Sequence, residues 1–190
     1  MGNSRLLASL VSGSAIPVTK DGISGLPGGG GAGSCVEQLL TGQTAALSPD
    51  QAVGQQFTSD SWFSLAQITK AQFSLKRASS VDSSLTITCK LLDSDASTVR
   101  ATLGTANVSS DLTTSFSFIT FEGGDLPDPT DSNDMLVMFL TGSNWQSGDI
   151  TAQWSDGSGG AISGTRALTI SNGTFYPHVN RNSTCKINCG

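Results

Sequence analysis

Few residues in this sequence could carry acid–base or nucleophilic chemistry. The single histidine, His178, stands in the stretch FYPHVN without another candidate nearby. Nucleophilic catalysis needs a serine, cysteine or lysine beside a base, and one isolated histidine does not supply that pair. Charged residues make up only 13% of the chain, so paired carboxylates for hydrolysis are also scarce. The sequence therefore predicts a protein that is not an enzyme and needs no cofactor.

One acidic stretch has the residue types of a calcium site. In EGGDLPDPTDSND, carboxylate oxygens that suit Ca²⁺ are available from Asp125, Asp128, Asp131 and Asp134. The stretch lacks the spacing and the central glycine of an EF-hand loop, and two prolines stiffen it. A solvated acidic loop that discourages pairing at a sheet edge explains the same residues and is the favoured interpretation.

Aromatic side chains could form a platform for sugar rings. Trp62 and Trp145 lie in loop-like stretches and are the possible glycan contacts, whereas Trp154 stands in an alternating stretch and could equally fill a core. Packing in a core or an interface explains such residues more often than sugar binding does.

The four cysteines are Cys35, Cys89, Cys185 and Cys189. Three pairings are open, and the sequence does not choose among them. A possible disulfide joins Cys185 and Cys189 in the tail CKINCG, with Cys89 left as a buried thiol. The cysteine spacing and the lone histidine do not fit a zinc site.

From about residue 51 onward, short apolar runs alternate with turn residues. This pattern is typical of β-strands, so strands are expected to position the candidate residues described above. The run DMLVMFLTG is apolar throughout, which is typical of a central strand covered on both faces. Seven runs predict strands: Val53–Ser59, Ala66–Ala78, Ser84–Leu92, Thr113–Glu122, Asp134–Gly142, Asp149–Ser155 and Thr165–Ser171. The pattern predicts an all-β protein with an antiparallel jelly-roll β-sandwich at residues 35–190.

Residues 1–34 differ in character from the rest. The stretch SRLLASLVSGSAIPVTKDGISGLPGGGGAG combines a short apolar run, two prolines and four consecutive glycines. Proline fixes φ and favours extended backbone, and glycine allows close approach to another surface. We therefore predict an extended N-terminal arm that binds a partner through Arg5, Leu6, Leu7, Leu10, Val11, Ile16 and Pro17.

The charge pattern excludes two classes of partner. The net charge is −5 and no cluster of lysine and arginine occurs, which argues against binding to nucleic acid. No apolar run reaches the 18 residues that a membrane-spanning helix needs, so no membrane partner is expected.

Two resemblances to known proteins follow from particular positions. Between Val53 and Tyr176 the chain resembles jelly-roll modules of secreted and phage proteins that are related to carbohydrate-binding modules, through Gln56, Phe57, Ile68, Phe73, Leu75, Lys76, Leu85, Ile87 and Leu91. The arm resembles the N-terminal leader of tailed-phage structural proteins, through Ser4, Arg5, Leu7, Leu10, Ile16, Pro17 and Lys20.

The resemblances imply a virion protein, most simply a capsid cement or decoration protein that its arm anchors to the particle. Its implied partners are the major capsid protein, other virion proteins and further copies of itself in a homo-oligomer. The alternative is a tail-fibre or adhesin component whose jelly roll binds host-surface glycans.

Overall fold

The computed structural model describes residues 33–58, 67–123, 133–155 and 164–189. These segments contain twelve strands and one short helix, α1 (Val108–Asp111), which lies between β6 and β7. The strands are β1 (Gly33–Gln38), β2 (Gln43–Leu47), β3 (Gln51–Phe57), β4 (Ile68–Arg77), β5 (Thr86–Leu92), β6 (Val99–Asn107), β7 (Ser117–Phe121), β8 (Met135–Thr141), β9 (Ile150–Trp154), β10 (Thr165–Ser171), β11 (Thr174–His178) and β12 (Cys185–Cys189).

The strands form two antiparallel six-stranded sheets packed as a sandwich. In the first sheet, β4 pairs with β7 along one edge and with β12 and then β9 along the other. Strand β1 flanks β12, and β2 flanks β9. The second sheet has the order β11-β10-β3-β8-β5-β6. The predicted all-β, jelly-roll-like sandwich is confirmed for the described residues.

The main core lies between the two sheets and follows the predicted periodicity. Leu85, Ile87, Cys89 and Leu91 alternate with polar neighbours, and all four are fully buried in this core. The rings of Phe73 and Phe121 meet edge to face inside it, with centroids 6.4 Å apart. Alternate apolar residues along a strand therefore account for the inner faces of the sandwich.

Strand β8 is buried on both faces, as its unbroken apolar run predicts. Leu136 and Met138 belong to the main core, whereas Met135 and Val137 belong to a second cluster. Members of the second cluster come from the second sheet alone, so this cluster lies on the outer face of that sheet.

A buried polar connection joins the two sheets. Residues 182–184 lead from β11 toward β12, and Asn182, Ser183 and Thr184 are at most 2% exposed. The Oδ1 atom of Asn182 accepts hydrogen bonds from Gln55 Nε2 and Thr165 Oγ1 in the second sheet. These bonds satisfy polar groups that burial would otherwise make costly.

Candidate binding groove

Most of the predicted site residues lie outside the described residues. These are the arm residues Arg5, Leu6, Leu7, Leu10, Val11, Ile16 and Pro17, the tryptophan Trp62, and three aspartates of the acidic stretch, Asp125, Asp128 and Asp131. The partner-binding arm and most of the calcium loop therefore stay predictions.

The fourth aspartate of the acidic stretch is engaged inside the protein. Asp134 is fully buried just before β8, and its Oδ2 atom accepts a charge-assisted hydrogen bond from Arg100 Nη1. The guanidinium neutralises a carboxylate that a Ca²⁺ ion would need. Within the described segments, no three acidic, histidine or cysteine side chains are grouped as a metal site would require.

Trp145 lies half-buried in the loop between β8 and β9 and packs against the main core. Neighbouring residues hold this loop in place: Asn144 Nδ2 donates to Asp82 Oδ2 at 3.1 Å, and Gln146 N donates to Asp149 Oδ2 at 2.7 Å. Hydrogen bonds from Ser84, with a smaller contribution from Asn144, lower the pKa of Asp82. The partly exposed indole therefore has a fixed position at the end of the sandwich.

Trp154 fills the core and contacts the single histidine. It is 4% exposed, and its ring centroid lies 4.6 Å from that of His178. The Nε2 atom of His178 is 3.1 Å from Thr169 Oγ1, and burial, followed by the charge of Arg181, lowers the pKa of the imidazole. Thr169 is only 8% exposed whereas His178 is partly exposed, and this hydroxyl–imidazole contact holds the imidazole ring in place.

The possible Cys185–Cys189 disulfide is wrong. Cys185 and Cys89 are free, buried thiols, whereas Cys189 is disulfide-bonded. Both tail cysteines lie in β12, where four residues of extended chain separate their Cα atoms by about 13 Å. A disulfide tolerates a Cα separation of only about 7 Å, so a strand across this tail prevents the bond.

A concave surface, which we call the groove, lies on the outer face of the second sheet. It encloses about 380 Å³. Its floor consists of apolar side chains from four neighbouring strands: Ala52 of β3, Leu92 of β5, Phe139 of β8 and Ile170 of β10. Sequence reasoning missed this surface, because the floor residues are far apart in the chain and meet only through sheet order.

The turn between β5 and β6 forms one wall of the groove. The carboxylate of Asp95 accepts hydrogen bonds from Ser97 N at 2.8 Å, Thr98 N at 2.7 Å and Thr98 Oγ1 at 2.6 Å. These bonds, those from Thr98 first, hold the pKa of Asp95 well below its usual range. Ala96, at the tip with φ 61°, packs against the second cluster. The wall is therefore a defined turn.

Two turns form the opposite wall: the hairpin turn between β10 and β11, and the turn that precedes β3. Asn172 and Gly173 have φ values of 49° and 75°, which make the two-residue connection between β10 and β11 a type I′ turn. Asn172 N donates to the carbonyl oxygen of Asp50 at 2.9 Å, and this bond ties the turn before β3 to the same wall. Asparagine and glycine adopt positive φ at little cost, so the sequence Asn-Gly shapes this side of the groove.

Charge is arranged unevenly around the groove. The Nζ atom of Lys90 lies 5.4 Å from the ring centroid of Phe139, so the cation rests on the aromatic floor. Asp50 lines one wall, and Asp93 and Asp95 belong to the turn that forms the other. Val99, which is 48% exposed, adds an apolar rim. The described residues that line the groove thus include one carboxylate, that of Asp50, and one cation, Lys90, so their charges balance.

No protein-family model matches the chain, and no curated protein is significantly similar to it. In the described part of the chain, no helix has the length and apolar character needed to cross a membrane.

Proposed function

We propose that this protein is a non-enzymatic structural component of a tailed-phage virion, a cement or decoration protein of the capsid surface. The sandwich forms the rigid body, and residues 1–32 anchor it to the major capsid protein or to other virion proteins. The sequence of the arm and its resemblance to phage leader segments support this assignment.

The observation that carries the proposal is the placement of β1. This strand begins at Gly33 on the edge of the first sheet and pairs with β12 from Gly33 to Gln38. Strand β12 is itself inserted between β1 and β4, and its Cys189 is disulfide-bonded. The chain before Gly33 is thus attached at a fixed edge of the body, which is the attachment that an anchoring arm requires.

The charge distribution supports a role in assembly. Residues 1–32 contain Arg5, Lys20 and Asp21 as their only charged side chains, which sum to +1. Because the whole chain has a net charge of −5, residues 33–190 have a net charge of −6. Two sandwich domains with the same negative charge repel each other, whereas the positively charged segment is attracted to an acidic surface. The charges therefore favour contacts made through the segment over contacts made between sandwich domains.

Removal of the arm tests the proposal. A variant without residues 1–32 and the double variant L7S/L10S should lose co-sedimentation with capsids stripped of decoration protein, because both remove apolar anchors. The double variant S9A/S12A is the matched control and should bind like the intact protein. Undiminished binding of the truncated variant would contradict the proposal.

Glycan binding is the second candidate, and the fixed, partly exposed indole of Trp145 favours it. A glycan array with and without Ca²⁺ separates the two functions. Binding that is lost in W145A but retained after removal of residues 1–32 would favour an adhesin, since stacking on this ring contributes about 1 kcal/mol beyond area burial.

A further inference from the structure

We propose that Asn172, at the tip of the hairpin between β10 and β11, is a site of spontaneous deamidation, and that its isoaspartate product releases β11 from the second sheet. Water is the only co-reactant, and the modification needs no enzyme. The inference goes beyond the proposed function and does not depend on it, because it concerns a covalent change within the sandwich itself.

The reaction needs a free carboxamide followed by an accessible backbone nitrogen, and the tip of this hairpin supplies both. Asn172 is exposed, and its side chain forms no hydrogen bond with any described residue. The backbone N–H of Gly173 likewise has no hydrogen-bond partner in the described part of the chain. Apart from the two adjoining residues, no heavy atom of a described residue lies within 4 Å of the position that a Cβ atom on Gly173 would take. This side of the turn is therefore open.

The chemistry balances with groups of the chain and water. The backbone nitrogen of Gly173 loses its proton to solvent and attacks the side-chain carbonyl carbon of Asn172, and the Nδ2 nitrogen leaves as ammonia. Water then opens the resulting cyclic imide at either of its carbonyl groups. One opening gives aspartate with a normal main chain, and the other gives isoaspartate, in which the main chain runs through the side-chain carbon. Glycine favours the ring closure because it has no side chain to crowd the forming ring.

Comparison with other asparagines singles out Asn172. Asn180 is also exposed, has a φ of 65° against 49° for Asn172, and has no side-chain hydrogen bond to a described residue, but Arg181 follows it. Asn107 is engaged as the N-cap of α1, and Asn182 is buried. Asn180 therefore matches Asn172 in exposure and backbone conformation and lacks only the following glycine.

Strand β11 is held weakly enough for the tip to open. The strand lies at the edge of the second sheet and pairs with β10 alone. Thr174, Tyr176 and Pro177 are exposed, and beyond the strand pairing the tip is held by the bond from Asn172 N to the carbonyl oxygen of Asp50. Elements with few buried contacts open locally at low free-energy cost. Such opening lets the backbone of the tip rotate into the geometry that ring closure needs.

Isoaspartate changes the length of the turn. The type I′ connection places two residues between Ser171 and Thr174, and isoaspartate adds one carbon to the main chain. The pair then loses its register, and with it β11 loses the contacts of Phe175 with the second cluster and of His178 with Thr169. Release of β11 uncovers the edge of β10, whose backbone groups an incoming strand can pair with.

Ageing of the full-length protein in warm, mildly alkaline buffer tests the modification. Peptide mass spectrometry should find deamidation of Asn172 about tenfold faster than that of Asn180 in the same sample. The variant R181G places a glycine after Asn180 and should accelerate the reaction there about tenfold. Equal rates at the two asparagines of the native protein would overturn the proposal. Reaction of Asn172 in urea only would overturn it as well, because the folded hairpin would then prevent ring closure.

Hydrogen exchange of the aged protein tests the structural consequence. Molecules that contain isoaspartate, identified by enzymatic methylation of that residue, should lose amide protection in β11 while the central strand β8 keeps it. The variant N172D is the matched control: it carries the same new charge on a normal main chain, and aspartate tolerates a positive φ, so β11 should stay protected. Unchanged protection of β11 in the isoaspartate form, or an equal loss in N172D, would contradict the proposed release through a lengthened turn.

Discussion

Both the side chain and the backbone of Asn182 form buried hydrogen bonds. Its oxygen accepts hydrogen bonds from Gln55 and Thr165, and its backbone N–H donates to Ser155 Oγ at 3.0 Å. Ser183, the next residue, donates its backbone N–H to Gln55 Oε1 at 2.8 Å. The stretch Asn182-Ser183-Thr184 also matches an N-glycosylation acceptor, but burial of Asn182 closes that side chain to modification in the folded protein.

The variant N182A should destabilise the fold by about 2–4 kcal/mol, because two buried donors lose their acceptor and a small cavity remains. Urea denaturation followed by fluorescence measures the change. The variant N180G is the matched control: Asn180 is exposed with φ 65°, so glycine fits there and stability should change by less than about 1 kcal/mol. An equal effect of both variants would show that the buried hydrogen bonds contribute little.

The two free thiols should be unreactive in the native protein. Burial raises the pKa of Cys89 well above its usual range and raises the pKa of Cys185 to about 12. We expect iodoacetamide to label neither cysteine without denaturant, to label both in urea, and to label Cys189 only after reduction. Mass spectrometry of the peptides checks this, and native labelling of Cys185 would contradict it.

These raised pKa values also predict the direction of a pH effect. Because the folded state favours the neutral thiols, their contribution to stability is complete below about pH 9, the ordinary value for cysteine. It is lost progressively as the pH rises toward 12. Urea midpoints measured between pH 7 and about pH 10.5 should therefore decrease, and C89A/C185A should flatten the decrease.

Among the elements, β11 shows how an exposed sheet edge is protected. Ser171 and Thr174 flank the two-residue turn and form a hydrogen-bonded pair, so the pairs alternate and Leu168–Pro177 is a non-hydrogen-bonded pair. At such a position, the backbone nitrogen of the edge strand points away from β10. Proline at 177 therefore costs no hydrogen bond within the sheet and removes a donor from the free edge.

The variant P177T should promote association, because it restores an outward N–H on an exposed strand. Sedimentation velocity over a range of concentrations should show larger or more abundant oligomers than the native protein forms at the same concentrations. The variant Y176T is the control, since the N–H of residue 176 already points toward Thr169, and it should sediment like the native protein. Concentration-independent sedimentation of P177T would contradict this account.

Sequence periodicity identified the strands with clear apolar contrast. All seven predicted runs overlap strands: β3 begins at Gln51, before its predicted start at Val53, and the Thr113–Glu122 run is shortened to β7. Among the described residues, β1, β2, β6, β11 and β12 were not predicted. Strand β6, with the sequence VRATLGTAN, relies on small residues, and register irregularities opposite Lys90 and Leu92 interrupt its alternation. Strand β12 is short, and its role depends on long-range pairing that local pattern does not contain.

For the molecule as a whole, the groove was less predictable than the fold. Its floor needs the neighbourhood of β10, β3, β8 and β5, and periodicity gives no strand order. The polar connection at Asn182 was likewise hidden, because Asn-Ser-Thr reads as a surface turn. The arm was recognised in the sequence by its amino-acid composition. Its contacts could not be predicted from the sequence of this chain, because they are proposed to involve other proteins.

We predict that deletions at the two termini of the chain have very different effects on the free energy of unfolding. Deletion of residues 185–190 removes β12, which lies between β1 and β4, and should prevent folding. Deletion of residues 1–32 leaves all twelve described strands intact, and it should change the free energy of unfolding by less than about 1 kcal/mol. Circular dichroism and urea denaturation check both variants, and a folded protein without β12 would contradict the prediction.

The position of β12 has a consequence for how the chain is made. Ribosomes release the chain from the N-terminus onward, and β1 emerges long before its partner. Until Cys189 has left the ribosome, β1 lacks its neighbour and one edge of β4 stays open between Ile68 and Phe73. A nascent chain of this protein therefore exposes unpaired strand edges until β12 has been synthesised. Such edges are prone to aggregate, so we expect chaperones to bind the chain until that point.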